Sequence, residues 1–134
     1  MYNIMSARGY GERIHLIKGI YGPSEMKGIL RQFDMLISGR VHAAVGALAQ
    51  DVPSLIIDYG HEPKAHKLRG FARVAGVEDY LVDPAKVEDM VNTGIRLWNN
   101  RVAVAEGLRE RMPQVKELSR ANFGKLRQLA GNGS

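Results

Sequence analysis

The chain has 134 residues, enough for one domain that buries about two-thirds of the surface its unfolded form exposes. Its hydrophobic content of 45% and charged content of 25% are those of an ordinary globular protein, and with no cysteine it can build neither a disulfide framework nor a thiolate metal site. A net charge of +5 favours anionic ligands without separating a nucleic acid from a phosphorylated metabolite, and no window approaches the roughly 20 apolar residues of a membrane span.

The opening "MYNIMSARGYGERIH" shows no apolar stretch behind a basic one, so no secretory signal is expected and the cytoplasm is the default location. "RIHLIKGIYG" (13–22) carries Ile14, Leu16, Ile17 and Ile20 and stops at Gly22-Pro23, which predicts a strand and a turn. Ser24 offers a cap for a helix whose stripe is Met26, Ile29, Leu30 and Phe33. "DMLIS" (34–38) is a short, nearly continuous apolar run, the pattern of a parallel strand covered on both faces. Gly39 ends it, and Val41, Ala44, Val45 and Leu48 make the stripe of a second helix closing near Asp51, before Val52-Pro53.

"SLIIDYG" (54–60) predicts a third buried strand, followed by the polar loop "HEPKAHK" and a helix "LRGFARVAG" (68–76) with Gly76 at its C-cap. "DYLVD" (79–83) reads as a fourth strand. From Pro84 the pattern is wholly helical, with Pro113 expected to break or kink it, and Trp98 falls at helical spacing with Ile95 and Val102, a core pattern. Between 101 and 127 seven Arg or Lys face three Glu, read either as a solvated helix face or as a docking surface for an acidic partner or another domain.

This alternation predicts an α/β domain: a Rossmann-like parallel sheet of about four strands with right-handed crossovers over 14–83, then a helical C-terminal segment over 84–130. A doubly wound sheet has five or six strands, so the chain reads as the back portion of a larger domain whose exposed edge favours self-association.

In such sheets ligands bind beyond the carboxyl ends of the strands, where "YGPSE" (21–25), "SGRVH" (38–42) and "DYGHEPKAHK" (58–67) fall. The second loop is the sharpest: Gly39 permits close backbone approach, the free N–H groups of the following helix favour an anion, and Arg40 adds a planar fork suited to carboxylate or phosphate. His42 lies off the apolar stripe in the first helical turn and supplies proton exchange near neutral pH. The same residues also fit an exposed arginine and histidine that merely open a helix. Tyr59, His61, Glu62, Lys64, His66, Lys67 and Arg69 would add a positive cleft beside them. The histidines match no metal-ligand spacing, so no metal is expected. "RGYGERI" precedes a strand, unlike a dinucleotide fingerprint, the basic residues lack interleaved stacking aromatics, and no G-x-S-x-G elbow occurs; neither nucleic acid nor Ser-His-Asp chemistry is expected.

The stretch from Phe33 to Lys64 resembles the C-terminal domain of the polysaccharide pyruvyl transferase family, with Asp34 ahead of a strand, Gly39, the R-x-H of Arg40 and His42, Val52-Pro53, Tyr59 and then Lys64. That resemblance implies the C-terminal half of a two-domain GT-B-like fold whose N-terminal domain is missing, and transfer of pyruvate from phosphoenolpyruvate to a sugar hydroxyl of a cell-surface polysaccharide as a ketal. It implies Arg40 and His42 as catalytic groups, and Gly39, Arg40, Tyr59 and either Lys64 or Lys67 as donor contacts. It further implies no cofactor beyond the phosphoenolpyruvate substrate, a glycan acceptor, and a place in the cytoplasm or at the inner face of the cell membrane. Two other functions remain open on the residues: a GT-B glycosyltransferase domain that binds a nucleotide sugar, and a non-catalytic binding module.

Overall fold

The computed structural model describes residues 2–59 and 66–131. A short helix α1 (Tyr2–Met5) runs into a π turn over Ser6–Tyr10 and a 3-10 turn over Gly11–Arg13, all largely exposed. Then come α2 (Pro23–Leu30), β1 (Leu36–Ser38), α3 (Val41–Leu48), β2 (Ser54–Ile57), α4 (His66–Ala75), a 3-10 turn over Glu78–Tyr80, β3 (Leu81–Val82) and α5 (Val87–Gly131).

The strands form one parallel sheet in the order β1-β2-β3. The α/β class and the parallel pairing match the expectation from sequence, but the sheet has three strands and not four. Residues 14–22 join no ladder, and Leu16, Ile17 and Ile20 are exposed. Local hydrogen bonding competes with the ladder here: Tyr21 folds its ring over Gly19 and donates its hydroxyl to the Lys18 carbonyl at 3.2 Å. The missing strand also explains α2. Only Leu30 of its predicted stripe is fully buried, whereas Met26 and Phe33 stay exposed. Its N-cap is Gly22 and not Ser24, with the Glu25 carboxylate accepting the Gly22 N–H at 2.7 Å.

Each sheet face has its own core. On one face Ile56 packs with Ala44 and Leu48 of α3 and with Leu68, Ala72 and Ala75 of α4. On the other, Leu55 and Val82 pack against Leu97 of α5, flanked by Met35, Ile57 and Met90. Burying these side chains stabilises the domain by about 1.5–3 kcal/mol for each large aliphatic group. α4 ends as expected, with Gly76 in the left-handed region at φ 74° and the Val77 N–H donating to the Ala72 carbonyl at 2.9 Å.

α5 overturns two expectations. It runs unbroken through Pro113. An interior proline costs a helix about 3 kcal/mol, but Leu108 and Met112 just before it and Val115 just after it pack with the α4 core and hold both sides in line. Trp98, Ile95 and Val102 are not core either: they lie on an exposed stripe, Trp98 at 46% exposure beneath the Arg101 guanidinium 4.1 Å from its ring. That stripe faces the side of the sheet next to β1, where Ile37 is exposed and no described residue covers it. No helix among the described residues is long and apolar enough to cross a membrane.

Candidate functional site

Because β1 and β2 are adjacent and parallel, with Ser38 opposite Ile56, the segments following them emerge side by side at the carboxyl end of the sheet. Gly39 and Tyr59 meet there. A Cβ at position 39 would run into the Tyr59 ring and come within 3.3 Å of the Ile57 carbonyl, so glycine is what lets the aromatic ring lie over the end of β1. The ring is otherwise exposed.

Arg40 is the N-cap of α3, in extended conformation at φ −97°, ψ 122°. Its backbone N–H donates to Ser38 Oγ at 3.1 Å and its carbonyl accepts the Ala44 N–H at 3.0 Å, so the turn from strand to helix is held by the Arg40 main chain and not by its guanidinium. The guanidinium is left exposed, with no acidic partner among the described residues. His42 is exposed in the first turn of α3, off the Ala44–Leu48 side, and that turn holds no acidic residue to offset the positive end of the helix dipole. Arg40 and His42 thus both lie exposed at the N-terminal end of α3.

Asp58, which the sequence pattern does not nominate, is the buried charge of the site at 4% exposure. Its N–H donates to the Val82 carbonyl at 2.8 Å, extending the β2–β3 pairing, and its Oδ2 accepts a hydrogen bond from Arg69 Nη2 at 2.8 Å. Arg69 comes from the first turns of α4, and its side chain is about half exposed. The pair neutralises the carboxylate at the end of β2 and holds a guanidinium at the mouth of the site. The signal was an aspartate closing the apolar run "SLIID": a charge that ends a buried strand needs a partner.

Lys64, His61 and Glu62 lie outside the described residues, and Lys67 is described only as part of the backbone of α4. The remaining members of the pattern sit at the opposite end of the sheet. Asp34, Val52 and Pro53 line a cavity of about 370 Å³ with Arg101 and Arg109 of α5, and the Leu36 N–H donates to the Pro53 carbonyl at 2.9 Å. Asp34, Val52 and Pro53 therefore set the entry into β1 and β2, while Gly39, Arg40, His42 and Tyr59 gather at the exit. The basic stretch of α5 thus starts at the entry end of β1 and β2 and not beside Arg40. A third charged cluster, Arg73 with Glu78, stands apart on the surface: the Arg73 hydrogen bonds hold the Glu78 carboxyl below its ordinary range despite some opposing desolvation.

Parallel α/β sheets as a class place their ligands beyond the carboxyl ends of the strands, where Gly39, Arg40, His42 and Tyr59 fall in this chain. Residues 2–61 match the family model for polysaccharide pyruvyl transferase, so the family resembled by the R-x-H pattern is the family matched over this first part of the chain. The match includes Gly39, Arg40, His42 and Tyr59 and ends before Lys64 and Lys67. No curated protein and no solved structure matches the chain.

Proposed function

We propose that this chain supplies the donor-binding part of a pyruvyl transferase, with phosphoenolpyruvate held over the Gly39–Tyr59 floor by Arg40 and the N-terminus of α3. The observation that carries this is the Arg40 guanidinium: it caps nothing and pairs with no acid among the described residues, yet the Ser38 and Ala44 hydrogen bonds fix its backbone at the mouth of a helix. An arginine so placed is free to take a carboxylate or phosphate in two parallel hydrogen bonds.

Ketal formation from phosphoenolpyruvate adds a proton to its methylene carbon, which leaves C2 electron-poor. Two sugar hydroxyls add to C2, the C2–O bond to phosphate breaks, and phosphate departs with the bonding electron pair. Of the two hydroxyl protons released, one balances the new methyl group and the other the phosphate. His42 is the group proposed to carry the proton, and Arg40 the one that stabilises charge on the leaving phosphate. Tyr59 offers a flat surface beside them. The polysaccharide acceptor follows from the family, with its site on parts beyond these residues, and Lys64 or Lys67 remains the proposed second phosphate contact.

Calorimetric titration with phosphoenolpyruvate tests this. Arg40→Ala is expected to weaken binding by about 1.5–3 kcal/mol, the worth of a hydrogen bond to a charged group. Binding of a nucleotide diphosphate without binding of phosphoenolpyruvate would replace the pyruvyl transferase assignment with a nucleotide-sugar glycosyltransferase.

A further inference from the structure

The β1–β2 ladder ends at Ser38 and Ile56, and two positions further along each chain Arg40, still extended, comes level with Asp58. Side chains two apart in a strand point to the same face, so Asp58 lies on the face of Ile56, which packs with Ala44 of α3 and Leu68 of α4. Those contacts set the first turns of α3 and α4 side by side, with Arg40 opening one and Arg69, next to Leu68, near the start of the other. Neighbouring strands are about 4.8 Å apart. The Arg69 guanidinium, held on Asp58 at 2.8 Å, is therefore placed one strand away from the residue that carries the other guanidinium.

We infer that Arg69 determines specificity in the donor site: oriented by Asp58, it receives the carboxylate of phosphoenolpyruvate, while Arg40 and the N-terminus of α3 take the phosphate. The inference rests on the proposed function. The ligand carries its phosphate ester on C2 and its carboxylate as C1, so its two anionic groups are joined to neighbouring atoms and need cationic partners on neighbouring elements. Arginine has five N–H donors, and Asp58 occupies one of those of Arg69; the side chain is half exposed, so others are open to a ligand. The buried carboxylate also divides the labour. Among the described residues the acids at this end of the sheet are Asp58 and Asp83, and Asp83 is engaged with the Ala85 N–H at 2.9 Å. By taking Asp58, Arg69 removes the acid that stands level with Arg40 and leaves Arg40 unpaired for the more highly charged phosphate. Glu78, the competing acid beyond α4, feels the Arg69 charge through space but is itself hydrogen-bonded to Arg73 at 3.0 Å. A guanidinium anchored on a buried carboxylate presents its free edge in a fixed direction, which suits a planar carboxylate.

The test compares two probes, phosphoenolpyruvate and inorganic phosphate, each titrated calorimetrically into the parent and its variants. The readout is the ratio of the two affinities, which a merely structural role would leave unchanged because both ligands would weaken together. Arg69→Gln is expected to lower the ratio about tenfold, the loss of one charge-assisted hydrogen bond to the carboxylate alone. Arg40→Ala should instead weaken both probes. Because Arg69→Gln leaves the buried Asp58 carboxylate without its cation, the same measurement is made on Asp58→Asn with Arg69→Gln, where two amides replace the ion pair and the fold keeps its hydrogen bond; the ratio should fall equally. A ratio that stays at the parent value in both Arg69 variants, or a fall in both affinities alike, overturns the role of Arg69 and leaves the donor site standing. A parent that binds phosphate but no phosphoenolpyruvate, or neither, removes the proposed function and this inference with it.

Discussion

The Asp58–Arg69 pair makes an asymmetric prediction. Both partners contribute one hydrogen bond of 2.8 Å, but the Asp58 side chain is 3% exposed and that of Arg69 52% exposed. Replacing Arg69 by leucine strands a carboxylate in a place water does not reach, and breaking a buried pair from one side costs about 3–5 kcal/mol. The half-exposed partner already shares its charge with solvent, so the lower end of that range, about 3 kcal/mol, is expected. Asp58→Asn keeps the shape, leaves an amide that still accepts from Arg69, and lets the guanidinium hydrate, so the loss should be about 1 kcal/mol. Urea denaturation of the two variants and the parent measures both, and the slope should not change, since neither substitution alters the surface exposed on unfolding. Equal costs, or a larger cost for Asp58→Asn, would show that the carboxylate is not the desolvated member and would refute the reasoning.

Gly39→Ala should displace the Tyr59 ring from the end of β1 and weaken phosphoenolpyruvate binding with little change in far-ultraviolet circular dichroism; unchanged affinity would mean that the ring takes no part in the site. Pro113→Ala restores a backbone donor inside α5 and should stabilise the protein by about 1–3 kcal/mol in thermal or urea unfolding, whereas a loss would mean that the helix needs its proline. The carboxyl of Glu78 is held down by Arg73, so its contribution is present above the ordinary carboxylate range and disappears as pH falls through the folded-state value. Glu78→Gln should therefore flatten the acid side of the stability–pH curve, and added salt should shrink the difference because the pair is exposed.

The alternation of short apolar runs with helical stripes was enough to establish a parallel α/β domain, although of the two longer strands only β2 is largely buried: in β1, expected to be covered on both faces, Ile37 is exposed. It also located the glycine that ends β1, the Arg40–His42 pair at a helix start, and the C-cap at Gly76. These features depend on local backbone geometry and spacing, which a sequence records directly.

Other outcomes depended on what each segment found to pack against. Residues 13–22 have the composition of a strand, yet Tyr21 closes a local hydrogen bond with Lys18 and the ladder is not made. Pro113 carries an intrinsic break, yet Leu108, Met112 and Val115 bridge it. Trp98, Ile95 and Val102 have core spacing, but among the described residues no core lies above them, since spacing defines a face and only a neighbour buries it. The Asp58–Arg69 pair was out of reach for the same reason: its members are eleven positions apart and meet only because β2 and α4 pack at one end of the sheet. Sequence determined the elements and the chemistry at their ends. The tertiary structure decided which apolar faces are covered and which charges meet, because burial and pairing belong to two segments at once.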